Sequence, residues 1–177
     1  CKGDVGGGLV DGAAGLLGAD GKFQPPTGVQ GWLQVLETVK AKTKASAYCF
    51  AANSVGIYRE WFGYLHQLGG SFLTADNKKA AFNSAEGVQA LQFLQDLIYK
   101  YKYTPENLTQ QQTFAMFKNN ESAGEGYGVW RTGAYEKEQG VEFGTTFFPV
   151  IGKQPAFWAN SHVFALPQPK KVDNSKV

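Results

Sequence analysis

Residues 81–97 read Ala81-Phe82-Asn83-Ser84-Ala85-Glu86-Gly87-Val88-Gln89-Ala90-Leu91-Gln92-Phe93-Leu94-Gln95-Asp96-Leu97, and the class of fold follows from this stretch and its neighbours. Asn83-Ser84 is a helix-start signal with an acid, Glu86, in the first turn. Val88, Leu91, Leu94, Leu97, Ile98 and Tyr101 follow at helical spacing and form the expected buried stripe. The helix has to stop before Pro105, which cannot continue it. Working toward the N-terminus, Asn53-Ser54 supplies an N-cap for Ile57, Tyr58, Trp61, Phe62, Leu65 and Leu68, and Gly69-Gly70 ends that helix. Further back, Pro25-Pro26-Thr27 opens a helix over 27–43 with Val29, Trp32, Leu33, Leu36 and Val39 on one face and Lys40, Lys42 and Lys44 near its negative end. Toward the C-terminus a shorter helix, about 109–118, carries Phe114 and Phe117. Between and after these helices, Ser46–Ala52, Ser122–Tyr127, Glu142–Phe148 and Ser161–Leu166 read as strands. Helices alternating with short strands predict an α/β lobe, helix-rich in its first two-thirds.

Composition excludes several function classes. The 177 residues are 43% hydrophobic, enough for a buried core, and no apolar run approaches the length of about 20 residues that a membrane span needs. The formal charge is +2 with no basic run, so the electrostatic footprint of a nucleic-acid binder is missing and no nucleic-acid partner is expected. Two histidines and two cysteines, without metal-ligand spacing, give no metal site, and no cofactor is expected. Gly124-Glu125-Gly126-Tyr127-Gly128 lacks the Lys-Ser/Thr of a phosphate-cradling loop. The acids Glu136 and Glu138 alternate with Lys137 as a solvated face, and no Gly-x-Ser-x-Gly elbow accompanies Ser161-His162. The sequence carries no positive sign of catalysis. Cys49, inside an apolar run, reads as a small core residue. The unusual quantity is aromatic: 4 Trp, 8 Tyr and 13 Phe make 14% of the chain, more than a fold this size is expected to hide completely.

The order of the pieces then becomes informative. A Pro-Pro-Thr helix, a Trp-bearing helix closed by Leu68-Gly69-Gly70, the Asn83-Ser84-Ala85-Glu86-Gly87 helix, Thr104-Pro105, Phe114-Ala115-Met116-Phe117 and Gly128-Val129-Trp130 follow one another. This succession resembles the extracellular solute-binding proteins of bacterial carbohydrate ABC importers, the maltose-binding-protein-like group, over about residues 14–177. In that group a Phe-x-x-Gly-Lys-Ala-Ala-Met-x-x-x-Gly-x-Trp block precedes a sugar-stacking Trp. Here the block runs from Phe117 to Trp130 with its spacing kept and with Asn120, Glu121 and Gly124 in place of Gly, Lys and Met. The resemblance implies a helix-rich lobe of a two-lobed, type II periplasmic-binding-protein fold. It assigns residues 21–177 to the second lobe, truncated at both ends, and leaves the glycine-rich residues 1–20 as a linker or severed element.

The same resemblance implies a non-enzymatic carbohydrate binder, the substrate-binding component of an ABC import system. Its partners are a sugar, the missing first lobe and membrane permease subunits, and its place is outside the cytoplasm. Cys1-Lys2-Gly3-Asp4 is open to two readings, a lipid-bearing cysteine of a mature lipoprotein or a cysteine at a truncation point. The residues make a separate case. A sugar presents apolar C–H faces and a rim of hydroxyls, so its site needs flat rings and a few directed polar groups. Trp130, after Gly126-Tyr127-Gly128, sits at a strand-to-helix junction where a ring can project. Trp158, Asn160 and His162 alternate along an extended segment and share one face; the pattern alone fits a half-buried edge strand equally well, and it is the resemblance, in which this segment enters the cleft, that makes them site candidates. Asn53, Tyr58 and Arg59 open a helix after a strand, where α/β folds place ligands, while Trp61 and Phe62 read as core. The competing readings are a fragment of a carbohydrate-active enzyme, which would need an isolated carboxylate pair, and a folded scaffold fragment without binding activity.

Overall fold

A computed structural model describes residues 15–21, 23, 25–53, 55–160 and 162–165. Most of the linker reading for 1–20, including Cys1, therefore lies outside the described residues. The helices are α1 (Gly28–Lys42), α2 (Val55–Gln67), α3 (Ala85–Gln95), α4 (Gln110–Lys118) and the short α5 (Thr132–Tyr135). A π-helical turn, Asp96–Lys100, prolongs α3, and a 3-10 turn, Val129–Arg131, leads into α5.

Two helix starts and one helix end are fixed by local chemistry, whereas Thr27 at the start of α1 makes no side-chain cap bond. The Ser84 hydroxyl accepts from the Gly87 N–H at 3.2 Å, which satisfies one of the orphan donors at the start of α3. Thr109 and Gln112 form a reciprocal capping box on α4. The end of α2 closes with Gly70 N–H donating to the Leu65 carbonyl and Gly69 N–H to that of His66, while Gly69 takes φ +97°. That is a Schellman closure, and its left-handed residue is one that only glycine takes without cost.

Trp32, Leu36 and Val39 of α1 pack with Tyr64 and Leu65 of α2, with Ala90, Leu94, Leu97 and Ile98 of the third helix and its π turn, and with Ala47, Tyr48 and Phe50 of the connecting segment. The expected stripe of α3 is shifted. Gly87 and Ala90 face the core in place of Val88 and Leu91, which are 63% and 52% exposed. On this face the Trp61 indole N–H of α2 donates to the Gly87 carbonyl at 3.0 Å, and a Cβ on Gly87 would overlap the Phe82 carbonyl. Trp61 and Phe62 lie half-buried in a cluster with Tyr58 and Phe72 at the edge of this core.

The sheet is more fragmentary than the sequence pattern predicts. The 46–52 run pairs in parallel with 121–126: Ser46 N–H donates to Glu121, Ala123 to Ser46, Cys49 to Gly124 and Gly126 to Cys49. On its other side Tyr48 N–H donates to Tyr103 at 3.3 Å. The bridges Ser46↔Ser122 and Cys49↔Glu125 lie three residues apart on both segments, whereas a regular strand repeats every two. Each segment shifts by one residue between bridges, and no continuous ladder forms. The expected strand at 142–148 forms no ladder among the described residues: Gly144 alone is bridged there, and the Thr27↔Val150 bridge follows. Of the expected 161–166 strand, 162–165 have no regular structure, and Ser161 and Leu166 lie outside the described residues. The architecture remains helix-rich α/β.

Candidate functional site

The 122–131 segment leaves the parallel pairing and turns sharply at Val129–Arg131 before α5. A buried polar cluster holds that turn. The Glu125 carboxylate accepts from the Thr113 hydroxyl at 2.6 Å, from the Tyr135 hydroxyl and from Arg131. Arg131 Nη1 also donates to the Gln110 carbonyl at 3.1 Å, and its guanidinium lies 3.4 Å from the centre of the Tyr127 ring. The Tyr127 hydroxyl donates to Gln110 Oε1 at 2.7 Å, so α4 grips the turn twice. Burial raises the Glu125 carboxyl above its usual range, against the hydrogen bonds from Thr113 and Tyr135 and the charge of Arg131. Burial and Glu125 together push the Tyr135 phenol up, which keeps it a donor.

With Tyr127 and Arg131 fixed on either side, the Trp130 ring has one place to go. It packs over the Gly128 backbone, which a Cβ there would overlap, and remains 55% exposed. Around it stand Tyr127 at 5.7 Å and Trp158 at 6.5 Å, both edge-on. Arg59 of α2 lies among all three rings, 5.1 Å from Trp130, 4.8 Å from Trp158 and 5.9 Å from Tyr127. These are cation–π distances.

Glu60, next to Arg59 on α2, points about 100° away from it. It is 4% exposed, accepts from the Tyr48 hydroxyl at 3.2 and 3.3 Å, and packs with that hydroxyl against the Gly126 backbone. Burial pushes its carboxyl up to about 8, the Tyr48 bond opposing and the charge of Glu125 adding. Cys49 is fully buried as expected, its thiol pushed up to about 12 by burial. A cavity of about 220 Å³ adjoins the 123–129 segment, lined by Trp32, Leu36, Phe117 and Phe143 and also by Glu125 and Arg131 of the clamp. Its lining is mixed, apolar on the helix side and polar where it meets the Glu125–Arg131 clamp.

The expected site residues are thus distributed unevenly. Trp130, Trp158 and Arg59 converge. Asn160 and His162 are exposed on the chain just beyond Trp158. Tyr58 turns instead to Trp61, Phe62 and Phe72. Asn53 donates to the Asn107 carbonyl at 3.0 Å and helps fix the loop before α4. Two contributors escape the sequence reading. Tyr127 could have been found as an aromatic three positions before Trp130. The direction of Arg131 depends on Glu125 and Thr113, a contact no local pattern carries. Among the described residues no group of His, Cys, Asp and Glu could hold a metal ion, and no helix is long and apolar enough to cross a membrane.

No family model and no curated protein sequence matches the chain. Solved structures do. The cyclic α-maltosyl-1,6-maltose binding protein of Arthrobacter globiformis superposes with a TM-score of 0.68 at 26% identity, covering 87% of this chain and 38% of that one. An ABC transporter solute-binding protein from Thermotoga lettingae, bound with α-D-tagatose, gives 0.68 at 24%, covering 87% and 40%. The maltose/maltodextrin-binding domain of Bdellovibrio bacteriovorus, bound to maltotriose, gives 0.63 at 21%, covering 76% and 36%. All three are sugar-binding proteins or domains by name or bound ligand, and the second is a solute-binding protein of an ABC transporter. The chain spans about two-fifths of the length of the first two. Over that span it has the fold of the sugar-binding, type II solute-binding proteins of ABC transporters.

Proposed function

We propose that the chain is the second lobe of a solute-binding protein and binds a carbohydrate without turning it over. The observation that carries this is the half-exposed Trp130 ring, backed by Tyr127, Trp158 and Arg59 on a turn clamped from behind. A pyranose stacks its C–H face on such a ring, and the surrounding polar groups read its hydroxyls. Asn160 and His162, exposed beside Trp158, are the nearest candidates for that reading, with Asn53 and Tyr58 at the start of α2 farther along the same lobe. In this reading the first lobe supplies the opposite wall, the lobes close by a hinge, and the closed form delivers solute to permease subunits in the membrane. The protein works outside the cytoplasm, and Cys1 is its candidate lipid attachment point.

The experiment is a sugar titration followed by tryptophan fluorescence, with the sugar recovered unchanged. Trp130→Ala weakens binding by about 5- to 150-fold, equivalent to about 1–3 kcal/mol. It leaves the melting temperature nearly unchanged, because a ring 55% exposed contributes little to the core. Unchanged affinity with a large loss of stability would make Trp130 a core residue and end this reading.

A further inference from the structure

The chain has two arginines, Arg59 and Arg131, and both lie against Tyr127. They differ in one respect. Arg131 is satisfied in the plane of its guanidinium by the Glu125 carboxylate and the Gln110 carbonyl. Arg59 has rings around it, but its Nε and Nη1 are buried and have no hydrogen-bond partner among the described residues. Stacking serves the faces of a guanidinium and leaves its in-plane N–H donors unmet. A buried, unpaired charge is costly, and such a group calls for an explanation.

The nearby acids do not supply one. Glu60 is turned to Tyr48, and Glu125 is taken by Arg131, Thr113 and Tyr135. We infer that Arg59 makes the Trp130–Trp158 site selective for an anionic sugar, one bearing a carboxylate or phosphate that enters in the plane of the Arg59 guanidinium while the ring stacks on tryptophan. Nε and Nη1 each share a fork with Nη2, so an oxyanion can engage either edge with two parallel bonds. Entry is past Trp130, the exposed member of the cluster. The inference rests on the sugar-binding reading and adds to it the charge of the ligand.

Three sugars that differ only at carbon 6 test it on the 177-residue chain: glucose, glucuronate and glucose 6-phosphate, with acetate and inorganic phosphate as anions lacking a ring. The readout is the shift of the tryptophan indole N–H signals in a nuclear magnetic resonance titration. The expected result is that glucuronate, glucose 6-phosphate or both bind about 10- to 100-fold more tightly than glucose. Tighter glucuronate identifies a carboxylate and tighter glucose 6-phosphate a phosphate. Arg59→Gln brings the ratio of affinities close to one. Arg59→Lys, which keeps the charge without the fork, retains only part of it. Retention of the wild-type indole signal of Trp32, which lies in the core and not against Arg59, shows that each variant is folded. Equal affinity for all three sugars would overturn the inference while leaving the sugar reading in place. Acetate or phosphate binding as well as the sugars, or no sugar shifting the Trp130 signal, would overturn both.

Discussion

Replacing Glu60 by Gln should abolish most of a pH dependence in stability that the buried carboxyl imposes. The folded chain holds this group at about 8 because burial disfavours its charge, and the unfolded chain returns it to the usual 4.5. Below about 4.5 both states carry the proton and the contribution to stability is complete. Between about 4.5 and about 8 the unfolded state alone loses it, so folding takes up a proton and each pH unit removes about 1.4 kcal/mol. The interval sets a ceiling of about 5 kcal/mol lost by about pH 8, with no further change above. Gln keeps a carbonyl for the Tyr48 hydroxyl, now 3.2 Å from Glu60 Oε1, and has no proton to lose. The assay is urea unfolding across that pH range. Glu125, also raised by burial, tilts both proteins alike, and any misfit of the Gln amide shifts the variant by a constant amount. The change of the difference between the proteins with pH therefore isolates Glu60. The wild type should lose several kcal/mol relative to Glu60→Gln between about pH 5 and about pH 8. A difference that stays flat would mean that water reaches the carboxylate and that the packing of Tyr48, Glu60 and Gly126 is wrong.

Three further outcomes follow from the same geometry. The 177-residue chain by itself should bind sugar with a dissociation constant of about 1 mM or weaker, because one wall leaves a face of the ligand in water and stacking must offset an association cost of about 4 kcal/mol or more; micromolar affinity by calorimetry would mean that one lobe holds a complete site. Arg131→Ala should cost about 3–5 kcal/mol by leaving Glu125 buried without its cation, and adding Glu125→Gln should recover part of the loss in thermal melts; additive losses would refute the pairing. Ser84→Ala should cost about 0.5–2 kcal/mol in chemical denaturation through the lost cap on α3, with sugar affinity unchanged.

The helices were legible because their signals are local. Ser84, Thr109 and the Leu68-Gly69-Gly70 closure act within a few residues of themselves, and each does in the structure what its type and position predict. The strands were less legible because their pairing is long-range. Nothing near Ser46 says that its partner is Ser122, or that the next bridge falls three residues on, at Cys49 and Glu125. The shifted stripe of α3 has a similar origin: Val88 and Leu91 fit a helical period, but the face with Gly87 and Ala90 is the one buried, with the Trp61 indole of α2 bonded to the Gly87 carbonyl. In the candidate site, Gly126-Tyr127-Gly128 marked Trp130 as a ring on a turn, whereas the clamp through Glu125 and Thr113 and the convergence of Arg59 on two tryptophans required the folded chain.

Arg59 and Glu60 are sequence neighbours of opposite charge type, yet they do not pair, and the reason explains the character of the site. Consecutive residues on a helix point about 100° apart. Arg59 is therefore delivered to Tyr127, Trp130 and Trp158, and Glu60 to Tyr48 and Gly126 behind them. The groups facing Glu60 are Tyr48 and Tyr64, whose phenols are themselves pushed up by burial, with the Glu125 charge adding to its shift; none of these is a cation that would hold it ionised. Up to about pH 8 the carboxyl accordingly stays protonated and supplies no counter-charge through the lobe. The guanidinium in front keeps its field for whatever enters beside Trp130. An ionised Glu60 behind the same wall would cancel part of that field, so a raised carboxyl at the back and an unpaired arginine at the front are two parts of one electrostatic arrangement.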